Sequence, residues 1–366
     1  MKRISEKLGE IEDVRHESYI KYRLGDLLTI ILCGVLCGLD SLESLHIFAE
    51  SHANIWKNQL GLDTVPSKAT LGRILCIIDG DAVGKVMLEL MKEQLDVSGT
   101  VVAVDGKAVC STGKKDEPHS ALQILTAYLT ENGVVLGQKA IHEKTNEIPV
   151  FQEMLDYLDL DGKTVTADAM HCQRETCEKI AEKQGGYVIG LKQNQPSLYE
   201  DVDLYYQNEA DEAFEICKST EKNAGRLETR ICRKLKDCSW LEPRHHWLSL
   251  TSVFAVERIT EERGHTSRET CYYISNLDES AERFMQIARE HWKIESLHWM
   301  LDVIFSEDDS YFFSENAHKT LNIMRKYALA VHKQYISAAK KKTPIKSSML
   351  ACLLDFNKLL FLLQNL

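Results

Sequence analysis

Thr100-Val101-Val102-Ala103-Val104-Asp105-Gly106-Lys107 reads as a buried strand that ends on an acid, and Thr164-Val165-Thr166-Ala167-Asp168-Ala169 repeats the pattern. A carboxylate carried out of a buried strand is costly to hold without a cation or hydrogen-bond donors, so two such ends predict a shared metal site. The third acid expected there is Glu295, in His291-Trp292-Lys293-Ile294-Glu295-Ser296-Leu297-His298-Trp299-Met300-Leu301-Asp302-Val303. Ile294, Leu297, Leu301 and Ile304 form one apolar stripe of a helix; Trp292, Trp299 and Val303 form a second that includes Glu295. Two apolar faces predict a largely buried helix.

Outward from these acids, short β-rich runs cover Val101 to Val104, Leu122 to Leu129, Val134 to Ile141, Val165 to Ala167 and Tyr187 to Leu191. Helical patterns over Pro149 to Leu158 and Arg174 to Lys183 lie between them, and Glu131-Asn132-Gly133 makes a hairpin turn. The expected fold class is α/β with a mixed sheet. Residues 1–97 read as a helical N-terminal domain, with periodic segments Leu24 to Gly38, Leu42 to Leu60, Leu71 to Ile78 and Ala82 to Leu95. A catalytic domain is expected over 98–345 and a C-terminal helix over 346–366. Asp168 and Glu295 stand 127 residues apart, and the altered texture of about 201–273 predicts a β-rich insertion before the last catalytic helix.

Composition narrows the class. The chain has 366 residues, 44% hydrophobic, enough for real cores. Eleven cysteines without paired spacing fit a reducing compartment, and the N-terminus lacks the apolar core of a signal peptide. The longest apolar run, Leu27 to Leu39, is too short to span a bilayer and predicts a buried helix; no membrane partner is expected. The net charge of −11 argues against simple nucleic-acid binding, but it is uneven. Nine Lys or Arg against one acid put the segment from Asn316 onward at +8 and everything before it at −19. That tail reads either as a solvated basic helix and loop or as a surface for an acidic partner.

The strand ending Val104-Asp105-Gly106-Lys107, then Asn132-Gly133-Val134-Val135-Leu136-Gly137-Gln138 and Glu143-Lys144-Thr145-Asn146-Glu147-Ile148, resemble the H-repeat-associated transposases of bacterial insertion sequences. Asp168-Ala169-Met170-His171-Cys172-Gln173, Leu191-Lys192-Gln193-Asn194-Gln195-Pro196 and the His291 to Asp308 segment continue the likeness in order. It extends to Pro66-Ser67 and Thr70-Leu71-Gly72-Arg73 in the N-terminal region, so it covers nearly the whole chain. The resemblance implies an RNase H-like core and a DDE triad of Asp105, Asp168 and Glu295. It further implies two Mg²⁺ ions, for which Mn²⁺ may substitute, and double-stranded DNA (element ends and target) as partner. Self-association on DNA and a bacterial cytoplasmic, nucleoid-associated location follow from it too. The Tyr, Arg, Glu, Lys signature of some related transposases does not fit, because Ala288, His291 and Asp302 stand at those offsets from Glu295.

Two-metal phosphoryl chemistry needs carboxylates that hold hard cations while leaving water and phosphate positions open. The three acids suit that demand. Lys107 reads equally as a phosphate contact or a solvated amine; Lys192 and Asn194 follow a core strand, where loops reach substrate. Arg226, Arg230 and Lys234 share one strand face at period two, either as a DNA contact or as a mixed-charge solvated face. Lys340, Lys341 and Lys342 are the candidate contacts in the basic tail. Cys33, Cys37, His171, Cys172 and Cys177 read as core residues rather than a zinc site, lacking a second ligand pair at finger-like spacing. The function expected is a transposase that cleaves the ends of an element and joins them to target DNA. A decayed DNA-binding remnant and a nuclease without strand transfer are the alternatives.

Overall fold

Helices give way to strands between Gln94 and Val101, around the Val97-Ser98-Gly99 stretch. The structure, a computed structural model, describes residues 1–366 except 114–120, 142–145, 224, 248, 310–313, 340–341 and 365–366, and excepting the side chains of Asn223 and Glu242. In chain order the elements are α1 (Lys2–Leu8), α2 (Leu24–Leu36), α3 (Leu42–Ser51), α4 (Ala53–Leu60), α5 (Lys68–Ile77) and α6 (Gly80–Gln94). Then come β1 (Val101–Val109), β2 (Leu122–Leu129), β3 (Val134–Ile141), α7 (Glu147–Tyr157), β4 (Thr164–Ala167), α8 (Arg174–Glu182), β5 (Gly186–Leu191) and α9 (Pro196–Asn208). Four long strands follow, β6 (Phe214–Asn223), β7 (Arg226–Leu235), β8 (Ser252–Glu262) and β9 (His265–Ser275), with α10 (Leu241–His245) between β7 and β8. The last helices are α11 (Ala281–His291), α12 (Lys293–Phe305), α13 (Glu315–Ala338), α14 (Ile345–Leu354) and α15 (Phe356–Gln364). The hydrogen-bonded strand order is β3-β2-β1-β4-β5-β9-β8-β7-β6, a mixed sheet as expected.

The chain forms two compact units, one of residues 1–98, 106–145 and 295–366 and the other of 99–105 and 146–294. In the first, the longest apolar run is α2, all thirteen of whose residues are buried. Its one acid, Asp26, accepts from Ser5 Oγ at 2.6 Å and Arg23 Nε at 2.8 Å, so burial leaves no orphaned charge. The single periodic segment Leu42 to Leu60 is two helices, broken at His52, whose ring Nδ1 lies 2.8 Å from Phe48 O. The β2–β3 hairpin turns at Gly133, whose φ of 74° suits glycine.

The basic tail departs from expectation. Lys319, Arg325 and Lys326 lie on α13, which packs against α6, α2, α5 and β3, and all three are buried. Each is held by partners: Lys319 by Asp81 and Glu315 at 2.9 and 2.8 Å, Arg325 by Glu307 at 3.3 Å. Lys326 donates to Thr126 Oγ1 at 2.8 Å and Gln138 Oε1 at 2.7 Å. A third of the tail's basic residues therefore work inside the fold rather than on a solvated arm.

In the second unit β1, β4 and β5 are parallel, Val101 to Val104 pairing with Thr164 to Ala167, and those four with Gly186 to Ile189. The segment expected as an insertion extends this sheet: β9 pairs antiparallel with β5, and β8, β7 and β6 follow as a meander. Helix α11 lies over it, packing Phe284, Met285, Ile287 and Ala288 against Val101, Val188, Cys232 and Phe254. Fully burying one such side chain is worth roughly 1.5–3 kcal/mol, so α11 is firmly anchored to the strands that carry the acids.

Candidate active site

Val104 and Ala167 are register partners in the parallel β1–β4 pair. The next residues are Asp105 and Asp168, so two of the three expected acids occupy neighbouring positions on strands about 4.8 Å apart. Strand β1 does not stop at Asp105 but runs on to Val109; only its full burial ends at Val104. Apolarity marks where a strand is buried, not where its ladder ends. Asp168 is the first residue after β4, entering a 3-10 turn over Ala169–His171, and its side chain is 68% exposed.

Several groups brace this turn. His291 Nε2 lies 3.4 Å from Asp168 Oδ1, and His291 Nδ1 lies 3.1 Å from the hydroxyl of buried Thr166. The His291 hydrogen bond outweighs the opposing cost of burial and, with the charges of Lys192 and His171, holds the Asp168 carboxyl below its usual range. Asn194 Nδ2 donates to Ala169 O at 2.6 Å and Gln195 Nε2 to Cys172 O at 2.8 Å. His171, expected as a core residue, is buried with its Nε2 3.0 Å from Glu147 Oε1. At Gly190 a Cβ would meet Ala169 N at 3.2 Å, so glycine lets β5 approach the turn closely. A half-open cavity of about 530 Å³ lies beside it, lined by Met170, Lys192, Gln193, Asn194, Tyr199 and Tyr272 among others. Lys192 is exposed there, whereas the donor end of Asn194 is committed to backbone.

Thr166, Glu147 and the role of His291 were not foreseen. One signal was available: Thr166 stands two residues before Asp168, hence on the same face of the strand.

Glu295 belongs to the other unit, in the first turn of α12, where an acid is favoured by the helix dipole. The expected burial of both faces of this helix is corrected. Ile294, Leu297 and Leu301 are buried and Ile304 is half-buried, but Glu295 is exposed, as are Trp292, Trp299 and Val303. Periodicity finds apolar faces; it cannot say which of two is covered.

Lys107 is not a solvated amine. Its side chain is 11% exposed, and Nζ lies 2.9 Å from Asp302, 3.2 Å from Asp308 and 3.5 Å from Glu307. Burial opposes its charge, but the Asp302 hydrogen bond and the other two carboxylates together raise its pKa. Glu307 is itself 1% exposed and also accepts from Asn322 Nδ2 at 2.9 Å and Arg325. Lys107 therefore ties β1 to α12 and the turn after it, with its charge already matched.

The arginine face of β7 is likewise occupied. Helix α11 contacts β6 and β7, and Arg230 is paired with Glu228 and with Glu221, which also binds Arg289 at 2.7 Å. Arg226 pairs with Glu228 at 3.3 Å while remaining 49% exposed. Lys342 is exposed; Lys340 and Lys341 lie outside the described residues. Cys33, Cys37, Cys172 and Cys177 are buried free thiols, as expected, and burial pushes Cys33 and Cys172 up to about 12.

Comparison with known proteins places these features in a family. The model described as "Transposase DDE domain" matches residues 97–331, and "DDE_Tnp_1-associated" matches 5–91. "Putative transposase YncI" of Escherichia coli O157:H7 is 30% identical over 334 residues, 88% of this chain and 85% of that protein. "H repeat-associated putative transposase YhhI" of Escherichia coli strain K12 is 28% identical over 346 residues, 90% of each. Among solved structures, a piggyBac transposase synaptic complex with hairpin DNA aligns over 98% of this chain and 77% of that one, at 12% identity and a TM-score of 0.47. With the two family models side by side in chain order and relatives matched nearly end to end, the chain belongs to the Transposase DDE domain family, among the H-repeat-associated transposases.

Proposed function

We propose that this protein is an active insertion-sequence transposase that binds the terminal inverted repeats of its element, cleaves the strand at each end and joins the freed 3′ end to target DNA. The observation that carries this reading is the register pairing of Val104 with Ala167, which makes Asp105 and Asp168 the next residues along parallel β1 and β4. The β2–β3 hairpin beside β1, with β1, β4 and β5 parallel, supports an RNase H-like core.

Among the described residues no group of three or more His, Cys, Asp or Glu is gathered to hold a metal. Mg²⁺ is commonly bound through only one or two carboxylates, with water and substrate phosphate completing its shell, so the Asp105–Asp168 pair fits it. When bound, two Mg²⁺ ions, or Mn²⁺ in their place, supply Lewis-acid activation of phosphate and water. The chain's residues do the rest. Asp105 and Asp168 would hold the ions with Glu295 as the third acid, and the His291 hydrogen bond, with the charges of Lys192 and His171, favours the ionised form of Asp168 that a cation needs. Lys192 offers an exposed cation for a DNA phosphate beside Asp168; Arg226 and the Lys340, Lys341, Lys342 run are further contacts to the backbone. Self-association on DNA would bring two element ends together.

The test uses a duplex carrying the DNA that flanks the gene. The wild-type protein should bind, cut and join it in Mg²⁺, while Asp105→Asn, Asp168→Asn and Glu295→Gln each bind but lose cutting by at least about 10³-fold. Binding without cutting by wild type would make it a decayed DNA-binding remnant. Cutting without joining would make it a nuclease.

A further inference from the structure

His291 occupies an unusual place. It is the last residue of α11, whose preceding turn is locked into the sheet core through Ile287 and Ala288, and its ring is 15% exposed. One ring nitrogen meets Thr166 Oγ1 at 3.1 Å and the other faces Asp168 Oδ1 at 3.4 Å. Thr166 is 1% exposed, on the strand that delivers Asp168 and two residues before it. The three groups thus form a short line, hydroxyl to imidazole to carboxylate, within one unit.

We infer that His291 is a positioning residue which, oriented by Thr166, holds the Asp168 carboxylate in the attitude needed for cation binding. The inference rests on the reading of Asp168 as a metal ligand. The sign of the His291–Asp168 contact depends on which ring nitrogen carries the proton. A proton on Nδ1 would leave the Nε2 lone pair facing a carboxylate oxygen, which is repulsive. If Thr166 donates its hydroxyl proton to Nδ1, Nε2–H points at Asp168, and both contacts are favourable. The 3.4 Å separation is longer than an ideal hydrogen bond, so this contact steers the carboxylate more than it binds it. Steering matters because the Asp168 side chain is 68% exposed and free to turn without it. Oriented outer partners of metal ligands commonly contribute 10–100-fold in metal affinity.

The readout is Mn²⁺ binding by the full-length protein, measured without DNA from the free-ion EPR signal, with thermal melting alongside. His291→Phe keeps the ring shape and removes both nitrogens; it should weaken Mn²⁺ binding about 10-fold or more. His291→Gln retains a donor near the Nε2 position and should stay within about threefold of wild type. Thr166→Val, which frees the tautomer, should weaken binding severalfold, and Thr166→Ser should restore it. If His291→Phe does not fold, the Thr166 pair decides the matter. Wild-type affinity in His291→Phe, or in Thr166→Val, overturns the proposal while Asp168→Asn still loses binding. Equal loss in His291→Phe and His291→Gln with a parallel fall in melting temperature overturns it in favour of packing alone. Unchanged Mn²⁺ binding in Asp168→Asn, or no saturable binding by wild type, instead removes the reading on which it rests.

Discussion

Asp168 and Glu307 are both acids flanked by nitrogen groups, yet their surroundings differ sharply. Asp168 keeps its side chain 68% exposed with one imidazole beside it, whereas Glu307 is 1% exposed and faces Lys107, Arg325 and Asn322. In the second case the cations that face the carboxylate come from the protein itself. Asp168 stays open to solvent, with Asp105 at the next position after Val104, the register partner of Ala167. The two acids thus differ in how far their charge partners are already inside the fold.

The sharpest way to break this contrast is Glu307→Gln. It strands the buried Arg325, while Lys107 keeps Asp302 and Asp308, so unfolding free energy should fall by about 3–5 kcal/mol. Asp168→Asn, at an exposed position, should change it by less than about 0.5 kcal/mol. Urea denaturation of both variants checks this, and similar losses would erase the distinction.

Lys326 sharpens it through pH. Burial, reinforced by Lys107 and partly offset by Glu307, lowers its pKa to about 7, whereas the unfolded chain keeps it near 10.4. Between those values the unfolded state binds more protons, so stability should rise with pH, by up to about 1.4 kcal/mol per unit from this site. Lys326→Met should remove that increment. Comparing wild type and variant by urea denaturation at pH 7 and pH 9 measures it, and identical slopes would show Lys326 charged throughout.

The smallest effects concern DNA. Arg230 is enclosed with Glu221 and Glu228, so Arg230→Ala should leave the salt dependence of duplex binding unchanged. Exposed Lys342 is the better candidate, and Lys342→Ala should reduce the slope of log K against log salt by about 1. Fluorescence anisotropy over a salt series separates them; the reverse order would return the β7 face to the DNA surface.

Most strands and helices could be read in advance because their signals are local. Leu122 to Leu129 and Val134 to Ile141 were bounded at the observed residues, and the turn between them carries its own glycine. Asp168 is legible as the residue that follows a strand, whereas Asp105 lies inside β1, and nothing in the chain announces that β1 and β4 are adjacent. His291 was visible only as a departure from a related signature, since Thr166, its partner, lies 125 residues away. The basic tail and the β7 arginines mislead because charge counts do not show pairing: Asp81 reaches Lys319 from 238 residues away and Glu307 reaches Arg325, while Glu221 and Glu228 pair with Arg230 across and along the β6–β7 hairpin.

By itself the sequence determined the alternation of elements, the buried α2 and the identity of the candidate acids, because periodicity and the cost of burying charge act over a few residues. Only the tertiary structure decided that β1 pairs with β4 through Val104 and Ala167, that 201–273 continues the sheet through β9, and that Trp299 on α12 and Trp292 just before it are exposed. Those outcomes depend on which distant segment arrives to pair a strand, cover an apolar face or neutralise a charge. A pattern of residue types encodes the need for such a partner but not its location.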